Sequence, residues 1–598
     1  LADAVTLQKT QPSRFWNFPM LQLFLRLDCI RLVTIATLFS LCVSVVYAQS
    51  SQIPLKRDPH QGRGMVITTH GVVGASQTLA AAAGAKILEQ GGNAIDAAIA
   101  ANAVMGLVEP ESNGIGGDLF ALVYIAKEGR LYALNASGWS PKAMTREALL
   151  ARGHAKMPET GIDSVTVPGA VAGWHALRER FGTLPFKQIL APAIHYAEQG
   201  FPVTELISGD WHSTGNLTKI SKQRHARDTY LPQGHPLGVG EIFRNPGLAK
   251  TYRLIAEHGR DGFYKGATAA SILQLMQEEN GLMTAEDLAE FQPEWVEPIS
   301  TTYRGWTVYE LPPNTQGIAA LMMLNIMEQF PIGQWGHNTA ESLHVLIEAK
   351  KLAYADMLEQ VGDPKGASIP VAQMLSKEYG KRRAAQIQLS KATCGFTPME
   401  LKHISSLPGA DTIYLNAADK DGNMVSLIQS IFLGFGSGLV APGAGFVMHN
   451  RAGLFTLDPG KTNTVGPRKR PLHTIIPGFM RKGDLKMTFG IMGGWNQAQA
   501  HAQFVSNVAD HDYNVQSALE LPRFSKRTFE GCDLSLEQRV PGDVVERLRK
   551  MGHVIELRKP FDSEVGNGQA ILRDGRGVLY AGSDPRKDGA SIPANPQW

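Results

Sequence analysis

Thr412 and Ser430 are the two hydroxyl residues whose spacing invites chemistry. Thr412-Ile413-Tyr414-Leu415-Asn416-Ala417-Ala418 has the content of a strand, and Met424 to Ser430 reads as a second one. Between them stands Asp419-Lys420-Asp421-Gly422-Asn423, and Asp-Gly accepts positive φ cheaply, so the two strands close as a hairpin. A turn centred near Asp421 pairs residues whose numbers sum to about 842, which sets Thr412 opposite Ser430, give or take one residue. Facing hydroxyls at the end of a hairpin suit hydroxyl chemistry, and they are equally an ordinary cross-strand pair. Glycine marks two further places: Gly434 to Gly445 is crowded with it, and Gly493-Gly494 ends the apolar strand Met487 to Met492. Neither is a phosphate cradle. The chain has no GxxxxGK[ST], no GxGxxG between a strand and a helix, and no GxSxG nucleophile elbow. His344 and Glu348 lie one helical turn apart, but no second His follows at HExxH spacing, so a structural polar pair is the expectation and no metal is assigned.

The elements around these residues are legible in outline. Leu79 to Gln90 is Ala-rich and helical, stopped by Gly91-Gly92. Asn93 is placed to cap a second helix, Ala94 to about Leu107, whose small residues predict close packing against a neighbour. Asn113-Gly114-Ile115-Gly116-Gly117-Asp118 then leads into the strand Leu119 to Ile125, a turn at Glu128-Gly129-Arg130 and the strand Leu131 to Ala136. From about residue 165 to 390 the pattern is mostly helical, from about 391 to 411 loop-like, and from Thr412 onward strand-rich. There is no internal repeat.

Bulk composition narrows the function classes. Of 598 residues, 43% are apolar and 19% charged, which is ordinary globular usage, and a formal charge of +3 gives no footprint for nucleic acid. Arg26 and Arg31 precede the apolar run Leu32 to Val46, which is short for a membrane span and ends in Val46-Tyr47-Ala48 before polar residues. Residues 1–48 are therefore expected to be a signal peptide with a preceding segment, an uncleaved anchor being the alternative, and the protein is expected to be exported to the periplasm or secreted. Of four cysteines, Cys29 and Cys42 leave with that segment; Cys394 and Cys532 remain and allow one disulfide in an oxidising compartment.

The ordered set of motifs resembles a known family. Gly91-Gly92-Asn93-Ala94-Ile95-Asp96-Ala97-Ala98-Ile99-Ala100 and Gly114-Ile115-Gly116-Gly117-Asp118 look like the N-terminal signature of gamma-glutamyltransferases. Val167-Pro168-Gly169, Glu348-Ala349-Lys350 with Asp356, Asp411-Thr412, Gly436-Ser437-Gly438, Arg470-Pro471-Leu472 and Gly493-Gly494 follow in the family's order, from about Gly64 to the C-terminus. The resemblance implies an α+β fold, the four-layer αββα sandwich of N-terminal-nucleophile hydrolases, with an additional helical region in the large-subunit part. It implies self-cleavage between Asp411 and Thr412 into a large subunit (49–411) and a small one (412–598), with Thr412 as nucleophile, Ser430 in the place of a supporting Thr, and the N–H groups of Gly493 and Gly494 as oxyanion hole. No cofactor is implied. The partners implied are the two subunits of one precursor and a small amide or peptide substrate.

The pocket departs from the family's pattern. Ser137 stands where an Arg would hold the α-carboxylate of a glutamyl group, and His449-Asn450-Arg451-Ala452-Gly453-Leu454-Phe455 lacks the Asp that would take its amino group. Phe432 replaces an Asn, His473-Thr474 replaces a Ser pair, and the link from Phe455 to Pro471 is short for a covering lid, which predicts an open cleft. The expected substrate contacts are thus Ser137, Phe432, Asn450, Arg451, His473 and Thr474. The family's default is cleavage of γ-glutamyl amides such as glutathione by hydrolysis or transfer. The alternatives are an amidase or acylase acting on a dicarboxylic monoamide, glutaryl-like or oxamate-like, whose carboxylate Arg451 would grip, and a catalytically silent binding protein on the same fold.

Overall fold

A computed structural model describes residues 52–395 and 410–596. The segment 1–48, expected to be a signal peptide with a preceding segment, and most of the loop expected before Thr412 lie outside the described residues. Among the described residues no helix is long and apolar enough to cross a membrane.

The hairpin forms as the strands Ala410–Asp419 and Met424–Leu433. Its turn is held by the Asp419 carboxylate, whose Oδ1 accepts the backbone N–H groups of Asp421 and Asn423 at 3.0 and 2.9 Å, while Gly422 takes a φ of +88°. The two strands run down the middle of an antiparallel seven-stranded sheet. Gly71–Ala75 and then Ala590–Pro593 lie on one side, and Asp118–Ile125, Arg130–Ala136 and Glu294–Val296 on the other. A second antiparallel sheet of seven strands has Leu485–Ile491 at its centre, between Gly568–Arg573 and Gly478–Lys482. The central strands are buried on both faces because one face meets the other sheet and the second meets helices.

Helices cover both outer faces. Thr78–Glu89 and Ala94–Val108 pack on the first sheet, and Gly317–Met327 and Gln497–Ala509 on the second. The helix Ala94–Val108 is buried along its whole length. Its start is fixed by a capping box, Asn93 accepting from Asp96 N–H while Asp96 accepts from Asn93 N–H. Its alanines admit the neighbouring helix so closely that a methyl group on Gly84 would lie 3.0 Å from Ala97 O. The layers are therefore helix, sheet, sheet, helix, as expected, with extra helices between Glu205 and Glu290.

The middle of the chain departs from the mostly helical expectation. Glu294–Val296, Ile299–Tyr303 and Trp306–Glu310 are strands, β-branched and aromatic, and they supply edge strands to both sheets. The cysteine pair is a disulfide, Cys394 to Cys532.

The two sheets pack tightly where Gly490 lies under the ring of Tyr414, whose hydroxyl shares a hydrogen bond of 2.7 Å with Ser426. A methyl group at 490 would meet ring carbons at 2.4 Å. Gly490→Ala should therefore lower stability by about 1–3 kcal/mol through overpacking, seen as a lower urea midpoint at unchanged slope. An unchanged midpoint would mean that the sheets are not pinned there.

Candidate active site

Along the hairpin Ala418 lies opposite Met424 and Ile413 opposite Gln429, the register the Asp-Gly turn predicts. The register then shifts between Ile413 and Asp411, so Thr412 sits at a bulge. The Thr412 side chain is re-aimed there, and its Oγ1 donates to Ser430 Oγ at 3.3 Å. Ser430 Oγ also accepts the N–H of Phe432 at 2.8 Å, and Phe432 is held at a φ of +80°, unusual for an aromatic residue. On the far side Ser430 pairs with Asp118. A side chain at Gly117 would strike Ser430 O at 2.4 Å, which accounts for the glycine before Asp118.

The glycine pair belongs to the second sheet. Gly493 and Gly494 have φ values of +122° and +58°, so the backbone turns sharply as the strand Leu485–Ile491 ends. This turn is tied to the hairpin, because Met492 Sδ accepts the N–H of Tyr414 at 3.0 Å. Its other tie is Met492 N–H to Asn567 O, 2.8 Å. Thr412, Met492 and Gly493 line one cleft of about 520 Å³. Its charged lining comes from Glu159, Asp210, Lys219, Arg527, Glu564 and Lys587, none of which the sequence singled out. They come from distant parts of the chain and share no local pattern.

The residues expected to touch substrate do gather, but behind the cleft wall. Ser137, Phe432, Asn450, Arg451, His473 and Thr474 are all buried, and the link from Phe455 to Pro471 contributes nothing to the cleft. The open cleft is thus present, but Arg451 does not face it as expected. The reason is a shared buried partner. Asp118 lies 3.0 Å from His473 Nε2, 3.5 Å from His449 Nδ1 and 3.8 Å from Arg451 Nε, and it accepts the N–H of Gly138 at 2.8 Å. The carboxylate missing from the segment 449–455 is supplied in space by this other strand, whose aspartate the motif Gly114–Asp118 displayed without its role being read.

Arg451 Nη1 donates to Thr474 Oγ1 at 2.9 Å, and its guanidinium stacks 4.7 Å from the Phe432 ring centre. Its Nε and Nη2 have no hydrogen-bond partner. Phe432 lies opposite Asp411 in the hairpin, so this cation sits beside the residue that precedes Thr412. Asn450 joins the cluster to the cleft wall, accepting from Leu433 N–H at 3.1 Å and donating to Glu159 O at 2.6 Å. Ser137 is held from the side, its carbonyl accepting from Arg470 Nε at 2.8 Å.

Electrostatics at His473 run against its protonation. Burial, with Arg451 alongside, lowers His473 to about 3 despite the opposing Asp118. Burial pushes Asp118 up, but His449 and His473 outweigh it and hold the carboxyl well below its usual range. His473 Nδ1 accepts the N–H of Ile475 at 3.3 Å, so its proton sits on Nε2 and faces Asp118.

The pair His344 and Glu348 acquires a third member. His553 Nε2 lies 2.9 Å from His344 Nδ1, and the three residues could each offer a metal one ligand atom within 4.8 Å of the others. The ring nitrogens of His344 and the Glu348 carboxylate are already answered by protein groups. Lys351 Nζ stands 2.6 Å from Glu348 Oε1, and His344 Nε2 meets Gln388 O at 2.9 Å, so an ammonium fills the place of a cation.

Two stacked antiparallel sheets between helices, with a threonine on a central strand facing a glycine turn of the opposite sheet, define an N-terminal-nucleophile hydrolase. The family profile described as Gamma-glutamyltranspeptidase matches residues 80–594. The chain is 36% identical to the glutathione hydrolase-like YwrD proenzyme of Bacillus subtilis, over 88% of this chain and 99% of that one. It is 34% identical to the oxamate amidohydrolase proenzyme of Klebsiella pneumoniae, over 88% and 98%. A crystal structure of cephalosporin acylase from Bacillus halodurans superposes with a TM-score of 0.83 at 42% identity, covering 92% of this chain and 99% of that one. The chain belongs to the gamma-glutamyltranspeptidase family.

The buried histidine gives a test with a definite sign. His473 titrates near 3 when folded and near its ordinary value of about 6.5 when unfolded, so the unfolded chain takes the proton first. This stability is present above about pH 6.5 and is lost as pH falls towards 3, about 2 kcal/mol of it between pH 7 and 5. Urea unfolding of His473→Gln should show a shallower loss over that interval than the parent. Equal slopes would sink the assignment.

Proposed function

We propose that the chain is an exported precursor that cuts itself between Asp411 and Thr412, and that Thr412 then cleaves a substrate amide through an acyl-enzyme. The observation that carries this reading is Thr412 Oγ1 at 3.3 Å from Ser430 Oγ, on the wall of a cleft that Gly493 also lines. The disulfide supports export, since such bonds persist in oxidising compartments.

A threonine hydroxyl is a weak nucleophile until a base removes its proton. Before the cut Thr412 has no free amine. Its hydroxyl attacks the Asp411 carbonyl, the acyl group moves from nitrogen to oxygen, and water releases it. The new α-amino group, with a reference pKa of about 7.7 to 8.0, is then the base within reach. The mature enzyme repeats the attack on a substrate amide, expels the amine, and passes the acyl group to water or another amine. The N–H groups of Gly493 and Gly494 receive the oxyanion, each such donor contributing about 3 kcal/mol to the transition state. Ser430 holds the attacking oxygen in place.

For the acyl group we favour a dicarboxylic monoamide, glutaryl-like or oxamate-like. Arg451, although buried behind the cleft wall, keeps Nη2 without a hydrogen-bond partner while its Nε stands 3.8 Å from Asp118, and Asp118 already serves His473, Gly138 and Arg451 and has little capacity left for an ammonium. A γ-glutamyl amine would then be buried without its counter-charge, at a cost of several kcal/mol. Relatives named oxamate amidohydrolase and cephalosporin acylase fit this reading. The glutathione hydrolase-like relative favours γ-glutamyl amides as the second reading. A silent binding protein has no use for the aligned hydroxyls and glycine turn.

Thr412→Ala should remain one uncut, inactive chain, and Thr412→Ser should cut slowly and keep residual activity, as read by reducing electrophoresis and N-terminal sequencing of the smaller band. Cleavage of Thr412→Ala at the same bond would assign the cut to an outside protease. Ser430→Ala should slow self-cleavage by about 10–100-fold, the worth of one buried hydrogen bond. In kcat/KM the matched glutaryl anilide should exceed the γ-glutamyl anilide; a large preference for γ-glutamyl would reverse the choice of acyl group.

A further inference from the structure

We propose that the Cys394–Cys532 disulfide becomes the covalent bond between the two chains of the processed enzyme. The inference rests on the cleavage before Thr412 proposed above. Cys394 belongs to the part before that bond and Cys532 to the part after it, and their sulfurs are joined with Cα atoms 4.7 Å apart. These are the only cysteines after residue 48, so no competing pairing exists within the mature chain. In the precursor the disulfide closes a loop that contains the scissile bond. Cutting that bond opens the loop and releases neither chain.

The surrounding contacts make this position a seam between the parts, independent of the disulfide itself. On the large side lies the helix Ala340–Gln360, and on the small side residues 528–553. His344 Nδ1 meets His553 Nε2 at 2.9 Å, and Lys350 Nζ donates to Thr528 O at 2.9 Å. Backbone bonds cross as well, from Gly531 N–H to Cys394 O at 3.0 Å and from Ala392 N–H to Met551 O at 2.7 Å. The seam therefore holds the two cysteines in register before any oxidant acts.

The oxidation balances as a thiol–disulfide exchange. The two thiols give two electrons and two protons to the disulfide of a dithiol–disulfide oxidant, which leaves as two thiols. The later cut consumes one water and breaks only the Asp411–Thr412 amide. The consequence is mechanical. Two chains held only by packing must find each other after dilution or denaturation, whereas linked chains re-form at a fixed effective concentration. The clasp lies away from the cleft: neither cysteine lines it.

The test is electrophoresis of the mature enzyme after thiol alkylation in denaturant, with and without reductant. We expect one species of full mature mass without reductant and two bands with it. Two bands without reductant would overturn the clasp while leaving self-cleavage intact. One band even with reductant would show no processing, and the proposal would fall with that reading. Cys394→Ser should still cut and should give two bands in both lanes; a single band without reductant would place the link elsewhere. As a second readout, activity regained after refolding the oxidised enzyme should be independent of protein concentration. For Cys394→Ser, or for parent enzyme reduced and alkylated after folding, it should fall several-fold per tenfold dilution. Equal recovery in all three would show that the disulfide does not hold the chains.

Discussion

The site depends on one break in a hydrogen-bond ladder. Had the hairpin kept its register to the end, Thr412 would be an ordinary inward residue of a central strand, locked in the sheet. The shift between Ile413 and Asp411 frees it from the ladder and sets its hydroxyl against Ser430. A bulge in the middle of a buried sheet leaves backbone groups short of partners, so the neighbouring structure must hold it. It does so from three sides: Ser430 Oγ binds the Phe432 amide, the Gly117 turn presses on Ser430 from the adjacent strand, and Met492 takes the amide of Tyr414. Removing the glycine at 117, or the positive φ at Phe432, would leave this displaced threonine unsupported.

The second constraint is the distance between sheets. An oxyanion site made of backbone N–H groups is useful only if its turn is held rigidly opposite the nucleophile. Here the proposed nucleophile, Thr412, is on one sheet and the Gly493-Gly494 turn on the other, so ordinary sheet packing sets their separation. Tyr414 over Gly490 brings the sheets close two residues from Thr412 and three before Gly493. The fully buried alanine helix behind the hairpin gives that sheet a rigid backing. Core packing and active-site geometry are, in this protein, the same set of contacts.

Much of this was legible in sequence where the signal is local. The Asp-Gly turn fixed a register that holds from Ala418 to Ile413, Asn93 announced a cap that forms, Gly117 stands where backbone approaches backbone, and Gly493 where the chain takes a positive φ. The bulge at Thr412 was covered only by the one-residue tolerance, since nothing in the strand's own residues demands it. The three strands between 294 and 310 were hidden in a helical stretch because short edge strands carry little periodicity. The Asp118 cluster was missed for a different reason. It joins residues 118, 449, 451 and 473, so the carboxylate that pairs with Arg451 stands on the strand Asp118–Ile125, far from it along the chain.

That cluster also bears on how one pocket could serve two reactions. On the proposed reading the same hydroxyl first attacks the carbonyl of Asp411 and later that of a substrate, with different bases but the same oxyanion donors. The acyl group therefore occupies, in turn, the place of residue 411 and the place of the substrate's acid part. Arg451 stacks on Phe432, the cross-strand partner of Asp411, with Nη2 unanswered and Nε 3.8 Å from Asp118. A cation held in this way is desolvated before any substrate arrives, so a carboxylate that reaches it gains more than it would from an exposed arginine. An ammonium entering the same place would meet Arg451 as a like charge and find Asp118 already bonded. On the proposed reading, a preference for an acid over an amino acid follows from which member of the buried pair has bonding capacity to spare.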